Sequence, residues 1–368
     1  MAAEAQVDRL AAVEAKVARG ERLGFEDGVA LLASHELLRV GRLADAACRS
    51  KVGRKVFFVR NRHINYSNVC GNRCAFCAFS RSEGEDGAFV LSRQEVLDKA
   101  RSASAGGVSE FHIVGGEDPH FTYEQARAML ADLRTAAPGV TLTAFTASEI
   151  AHFAEAGGCS VSEVLQGLKH AGLGSLPGGG AEVFAQRVRD LVCPRKVTAE
   201  RWLDVHRQAH RLGIPSNATM LYGHVETVEE RVDHLLRLRE LQDETGGFQA
   251  FIPLAFHPAN TRLAHLPGPT GTEDLKVVAT ARLLLDNFTH IKAYWVMLGI
   301  KLAQVALYFG ADDLDGTILE EVITHMAGGT TQQAVSVGEI VRLVRQAGRI
   351  PVERDTFYRE LHTYAEAG

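Results

Sequence analysis

Three of the chain's six cysteines fall within one short stretch, NVCGNRCAFCAFSR, from Asn68 to Arg81. They are Cys70, Cys74 and Cys77, spaced C-x-x-x-C-x-x-C. Three is an awkward number of thiols. A structural zinc site takes four ligands, and disulfides consume cysteines in pairs. Three thiolates on one short loop can instead hold three corners of a 4Fe–4S cube, which ordinarily takes four cysteines. One iron is then open to another ligand. Other arrangements remain: a distant Cys159 or Cys193 as fourth ligand, a zinc site completed by His63, or unconnected core cysteines. Cys48, Cys159 and Cys193 are scattered and read as plain buried or half-buried residues.

A second stretch with chemical potential is HIVGGEDP, where Gly115 and Gly116 precede Glu117. Paired glycines let backbone approach a ligand closely, although a plain strand-to-loop turn uses them too. Gly178, Gly179 and Gly180 lack the Lys-Ser/Thr of a phosphate loop, and GGED is no dinucleotide fingerprint.

The elements that must position these residues follow from periodicity. Residues 1–52 read as an N-terminal helical extension, able to cap one end of a barrel. Short apolar runs then alternate with amphipathic stretches: KVFFVR, EFHIVGG, VTLTAFT, GLGSLPGG, SNATMLYG, FQAFIPLAF and IKAYWVML. Their weak in–out alternation suits parallel strands covered on both faces. An eighth unit is expected around LYFGADDLDGT. Ser92 with Glu95, Ser160 with Glu163 and Thr227 with Glu230 form capping boxes at helix starts. Seven or eight such units predict an α/β fold, a (β/α) TIM-type barrel over 53–330, with a C-terminal helical segment over 331–368 closing it; an open doubly wound sheet is the alternative. In a barrel, Cys70 follows the first strand and sits at the end where such folds carry their active sites.

With 46% hydrophobic and 23% charged residues, the chain can bury a globular core. Its net charge of −5, with both signs mixed, argues against nucleic acid as the main partner. No run approaches the ~18 apolar residues of a membrane span, and the opening MAAEAQVDRL lacks a signal's apolar core. A cytoplasmic protein without a membrane partner is expected. Its thiols stay reduced and read as metal-binding or catalytic.

The motif C-x-x-x-C-x-aromatic-C, with Phe76 before the last cysteine, resembles the signature of the radical S-adenosylmethionine enzymes. RNRHINYSNVCGNRCAFCAFSR, GLGSLPGGGAE, the stretch from MLYGHVET to FIPLAFHPANT, and AGRIPVERDTFY together resemble its menaquinone and deazaflavin branch, over about residues 30–365. That branch contains aminodeoxyfutalosine synthases, whose pattern is the nearer one, cyclic dehypoxanthinyl futalosine synthases and the tyrosine-handling part of FO synthase. It often has Pro where this chain has Tyr66. The resemblance implies a 4Fe–4S cluster on Cys70, Cys74 and Cys77, with S-adenosylmethionine as co-substrate on the open iron. It implies that Gly115, Gly116 and Glu117 hold the methionine amino group, so that Gly116→Val weakens cofactor binding and leaves iron content near normal. It also implies a low-potential electron donor such as flavodoxin or ferredoxin.

The implied substrate is a small aromatic dicarboxylate, 3-[(1-carboxyvinyl)oxy]benzoate. Its carboxylates call for cations or hydrogen-bond donors, for which Arg81, His224, His257 and Arg354 are the candidates. Each histidine reads equally as a satisfied core or surface residue, and Arg354 as an ion pair with Asp355. Phe76 and Phe79 offer a wall for the adenosyl group. Glu182 offers a carboxylate for the ribose, or is simply exposed. Asp313 and Asp315 read as a turn or as polar barrel-end ligands. The reading from a different class is a non-catalytic, zinc-stabilised barrel.

Overall fold

The computed structural model describes residues 2–364. Eleven strands are present among them: β1 (Lys55–Val59), β2 (Asn61–Ile64), β3 (Glu110–Ile113), β4 (Thr141–Ala144), β5 (Leu173–Ser175), β6 (Ser216–Tyr222), β7 (Phe248–Ala255), β8 (His290–Ile291), β9 (Asp313–Gly316), β10 (Ile350–Arg354) and β11 (Glu360–Thr363). β1 and β2 are two halves of one strand, interrupted at Arg60. β2 to β5 pair in sequence, all parallel, as do β6 to β8. Single bridges join these sets: Leu176 to Ser216, and Lys292 to Asp313. β9 then returns to β1, and Leu319 bridges to Arg62. The result is a closed ring of eight parallel positions, a TIM-type barrel.

Helices cover the ring, and the capping boxes at Ser92, Ser160 and Thr227 all form. The first helices are Ala2–Ala18, Phe25–Ala33 and Leu37–Val52. The second and third pack on the outside, against the helices Val228–Thr245 and Gly271–Leu284. Gly28 permits this approach, because a Cβ there would lie 2.7 Å from Leu284 Cδ1.

Two elements differ from the sequence expectation. IKAYWVML gives only a two-residue strand; the chain turns into the short helix Trp295–Leu298, where Trp295 Nε1 donates to the Gly316 carbonyl at 2.9 Å. The C-terminal segment is not helical throughout. After the helix Val337–Gln346, β10 pairs parallel with the first half of β1 and β11 lies antiparallel on its outer edge. The pattern Ile350-Pro351-Val352 fits a pleated surface better than a helix. Among the described residues no helix is long and apolar enough to cross a membrane.

Candidate active site at the mouth of the barrel

A cavity of about 300 Å³ runs into the barrel from the loops that follow the strands. Cys70, Cys74 and Cys77 all line it, whereas Cys48, Cys159 and Cys193 do not. The cysteine loop is clamped from several sides. Cys70 N donates to Arg81 O at 3.0 Å, and Gly71 N to Glu117 O at 3.0 Å. Ala75 N donates to Val192 O at 2.7 Å, and Arg262 N returns a bond to Ala75 O at 3.0 Å. Arg73 takes a left-handed conformation (φ +48°) to make the turn. Burial pushes the Cys70 and Cys74 thiols up, so their thiolates call for a cation as partner.

The glycine loop lies directly against this one. Gly116 N donates to Ser67 O at 2.8 Å, and a Cβ on Gly116 would overlap the carbonyl oxygen of Val69. Gly115 rests on the ring of Tyr66, and its N–H donates to Glu149 Oε1 at 3.1 Å. The Tyr66 hydroxyl donates to the same oxygen at 2.8 Å, while Thr146 N and Oγ1 donate to Oε2 at 2.7 Å. Burial still raises the Glu149 carboxyl to about 7. Ser148 Oγ donates to Glu117. Glu149 was not among the sequence candidates; in the structure it also closes a capping box with Thr146 at the start of the helix Ala147–Gly157.

The structure brings Phe76, Phe79, Gly115, Gly116, Glu117, Glu182 and His257 to the cavity with the three cysteines. Glu182 is buried, with Lys196 Nζ bonded at 2.7 Å. Lys196 in turn lies 5.9 Å from the centre of the Phe76 ring. His257 faces the cavity with Nε2 2.9 Å from Met297 O.

Three candidates lie elsewhere. Arg81 turns back on its own loop, donating to Ala78 O at 2.8 Å and Ser80 O at 3.0 Å. His224 is held by Glu226 at 3.0 Å and Leu221 O at 3.0 Å. Arg354 is buried at the base of the barrel, 2.7 Å from Asp313 and over the Tyr358 ring at 4.1 Å. Asp313 therefore serves the base. Asp315, in the strand β9 and not a turn, lines the cavity and accepts from Lys292 Nζ at 2.5 Å. Sequence reading passed over Lys292 and His112 as cavity groups, and took up His63 only as a fourth ligand for zinc. One signal for His112 was present: Glu110 and His112 alternate with Phe111 and Ile113 in β3, which aims the polar pair inward.

Residues 64–238 match the Radical SAM superfamily, and residues 245–366 match the CofH/MqnC C-terminal region. The aminodeoxyfutalosine synthase of Thermus thermophilus is 48% identical, over 97% of this chain and 97% of that one. The chain belongs to the radical S-adenosylmethionine superfamily. The Streptomyces coelicolor aminodeoxyfutalosine synthase is 44% identical over 96% of this chain and 94% of its own. A 5-amino-6-(D-ribitylamino)uracil–L-tyrosine 4-hydroxyphenyl transferase of Methanosphaerula palustris is 42% identical over 92% and 94%. Two solved structures share the fold. Methylornithine synthase (PylB) superposes with a TM-score of 0.75 at 19% identity, covering 92% of this chain and 97% of its own. The hydrogenase maturase HydG of Carboxydothermus hydrogenoformans does so at 0.76 and 17%, covering 97% and 82%.

Radical S-adenosylmethionine enzymes bind a 4Fe–4S cluster and use S-adenosylmethionine as co-substrate. The residues here fit that pair. Three free thiols from one loop face one cavity, and the neighbouring backbone is kept bare by Gly116. A single zinc ion fits less well. Among the described residues no three Cys, His, Asp or Glu side chains converge on one ion, and His63 stacks on His112 with ring centres 4.6 Å apart.

Proposed function

We propose that this enzyme joins the 5′-deoxyadenosyl group of S-adenosylmethionine to the enol-ether double bond of 3-[(1-carboxyvinyl)oxy]benzoate. Rearrangement and loss of the enol-ether carboxyl as CO2 or bicarbonate then give 6-amino-6-deoxyfutalosine, with methionine released from the cofactor; this lies on the futalosine route to menaquinone, and the setting is the cytoplasm. The observation that carries this reading is the near-full-length identity of 48% and 44% to two aminodeoxyfutalosine synthases.

Cys70, Cys74 and Cys77 would hold the cluster through three thiolates. A cluster held there and reduced by a low-potential donor such as flavodoxin or ferredoxin would supply the one electron needed to release the 5′-deoxyadenosyl group from S-adenosylmethionine as a radical, with methionine as the other fragment. Gly115, Gly116 and Glu117 would hold the methionine amino group, Glu182 the ribose, and Phe76 with Phe79 the flat side of the adenosyl group. Leu221, Ile252, Leu254 and Phe256 line the same cavity. These apolar walls exclude water and hold the acceptor carbon within near-attack reach, roughly 3–4 Å. His257 is the one original cation candidate that faces the substrate space.

A second reading has an observation of its own. The cavity lining carries the carboxylates of Glu110, Glu117, Glu149, Glu182, Asp315 and Glu321. That suits the ammonium of an amino acid, and the tyrosine transferases are 39–42% identical over most of their length. Anaerobic reconstitution, followed by S-adenosylmethionine, reductant and each acceptor in turn, separates the two by product mass. Adenosylated product from the enol ether alone supports the first reading; a tyrosine-derived product alone supports the second.

A further inference from the structure

A dicarboxylate inside this cavity leaves water and needs a compensating cation. Arg81, His224 and Arg354 do not face it, and His257 is tied to a carbonyl. Two lysines line the cavity. Lys196 is engaged with Glu182 on the cysteine-loop side, above Phe76. Lys292 follows β8 and is buried, and its ammonium makes one hydrogen bond, to Asp315. Among the described residues, two of its three N–H donors have no partner.

His63 stands in the same region. It lies on β2 itself, ahead of the cysteine loop and so deeper in the barrel. Its Nε2 is buried with no hydrogen-bond partner among the described residues. Burial keeps this imidazole neutral, pushing its pKa down to about 3; it offers a donor without a second charge. Two of the neighbouring acids have partners of their own: Asp315 is paired with Lys292, and Glu321 accepts from Thr324 N at 2.9 Å and lies 3.0 Å from His325. Ile252, Leu254 and Tyr294 line the cavity as apolar surface for a ring.

We infer that Lys292 and His63 form a subsite for the ring carboxylate of an aromatic acid, the end of the substrate remote from the enol ether. This rests on the proposed reaction, in which the enol-ether carbon must face the cysteine loop and the ring carboxylate points deeper. Asp315 acts as a positioning residue. It holds the Lys292 ammonium by one hydrogen bond and so fixes the direction of the remaining donors.

The test is binding without turnover. Reconstituted enzyme with S-adenosylmethionine and no reductant is titrated calorimetrically with 3-[(1-carboxyvinyl)oxy]benzoate and with 2-phenoxyacrylate, which lacks the ring carboxylate. The wild type should bind the first at least tenfold more tightly. Lys292→Met should erase that preference with iron content unchanged, and Lys292→Arg should restore part of it. Equal binding of both compounds by the wild type overturns the subsite, as does a preference that survives in Lys292→Met. If Lys292→Met fails to load iron, the wild type and Lys292→Arg decide. Adding reductant then tests the reaction separately: a lysine-dependent preference with no adenosylated product overturns the reaction and leaves the carboxylate subsite standing.

Discussion

A Cβ on Gly116 would overlap the carbonyl oxygen of Val69, the residue immediately before Cys70. The glycine loop and the cysteine loop are therefore in backbone contact, and the glycine serves the cysteine loop before it serves any ligand. Gly116→Val is expected to displace Val69 and Cys70. Iron content should then fall together with cofactor affinity, in contrast to the sequence expectation of near-normal iron. Iron per chain and visible absorption of the variant decide this. Full iron with weakened cofactor binding would return the side chain's effect to the cofactor alone.

Cys70→Ala, Cys74→Ala and Cys77→Ala should each abolish the cluster and turnover. Cys159→Ala and Cys193→Ala should keep both, because neither cysteine reaches the cavity. Loss of iron in Cys193→Ala as complete as in Cys74→Ala would require a four-cysteine site.

Arg354 is expected to matter for stability and not for substrate binding. Arg354→Met leaves Asp313 buried and unpaired, which costs about 3–5 kcal/mol. Denaturant unfolding should register that loss, while the KM for the acceptor stays within about twofold of wild type. A tenfold rise in KM without loss of stability would put the guanidinium back on the substrate.

Glu149 should make stability depend on pH in a defined direction. Its carboxyl is raised from 4.5 to about 7 in the fold, so the folded state holds the proton more tightly than the unfolded one. Its favourable contribution is present at low pH and is lost as pH rises from about 4.5 to about 7, roughly 3 kcal/mol in all. Glu149→Gln cannot ionise. Its stability relative to wild type should therefore climb across that window. A difference that stays flat with pH would mean that the carboxylate is ionised throughout.

Much of the frame was readable from the chain. The capping boxes are local, so Ser92, Ser160 and Thr227 announce their helices without tertiary help. The cysteine spacing is local too, and strand-then-loop order places it at the barrel mouth. What escaped depends on contacts between distant segments. IKAYWVML is apolar throughout, and such a run does not separate a strand from a buried helix turn. Arg354 next to Asp355 looks like a local pair or a free cation; only the closed barrel brings Asp313 within 2.7 Å of it. Lys292 hides in an apolar run for the same reason, its partner Asp315 arriving from the next strand.

The central claim is that the adenosyl group ends in the product. S-adenosylmethionine labelled in the adenine ring is supplied with 3-[(1-carboxyvinyl)oxy]benzoate and reductant to the anaerobically reconstituted enzyme. The account predicts label in 6-amino-6-deoxyfutalosine, with methionine released alongside. Label confined to free 5′-deoxyadenosine, with this acceptor and with every related acceptor offered, would contradict it and mark an enzyme that abstracts hydrogen.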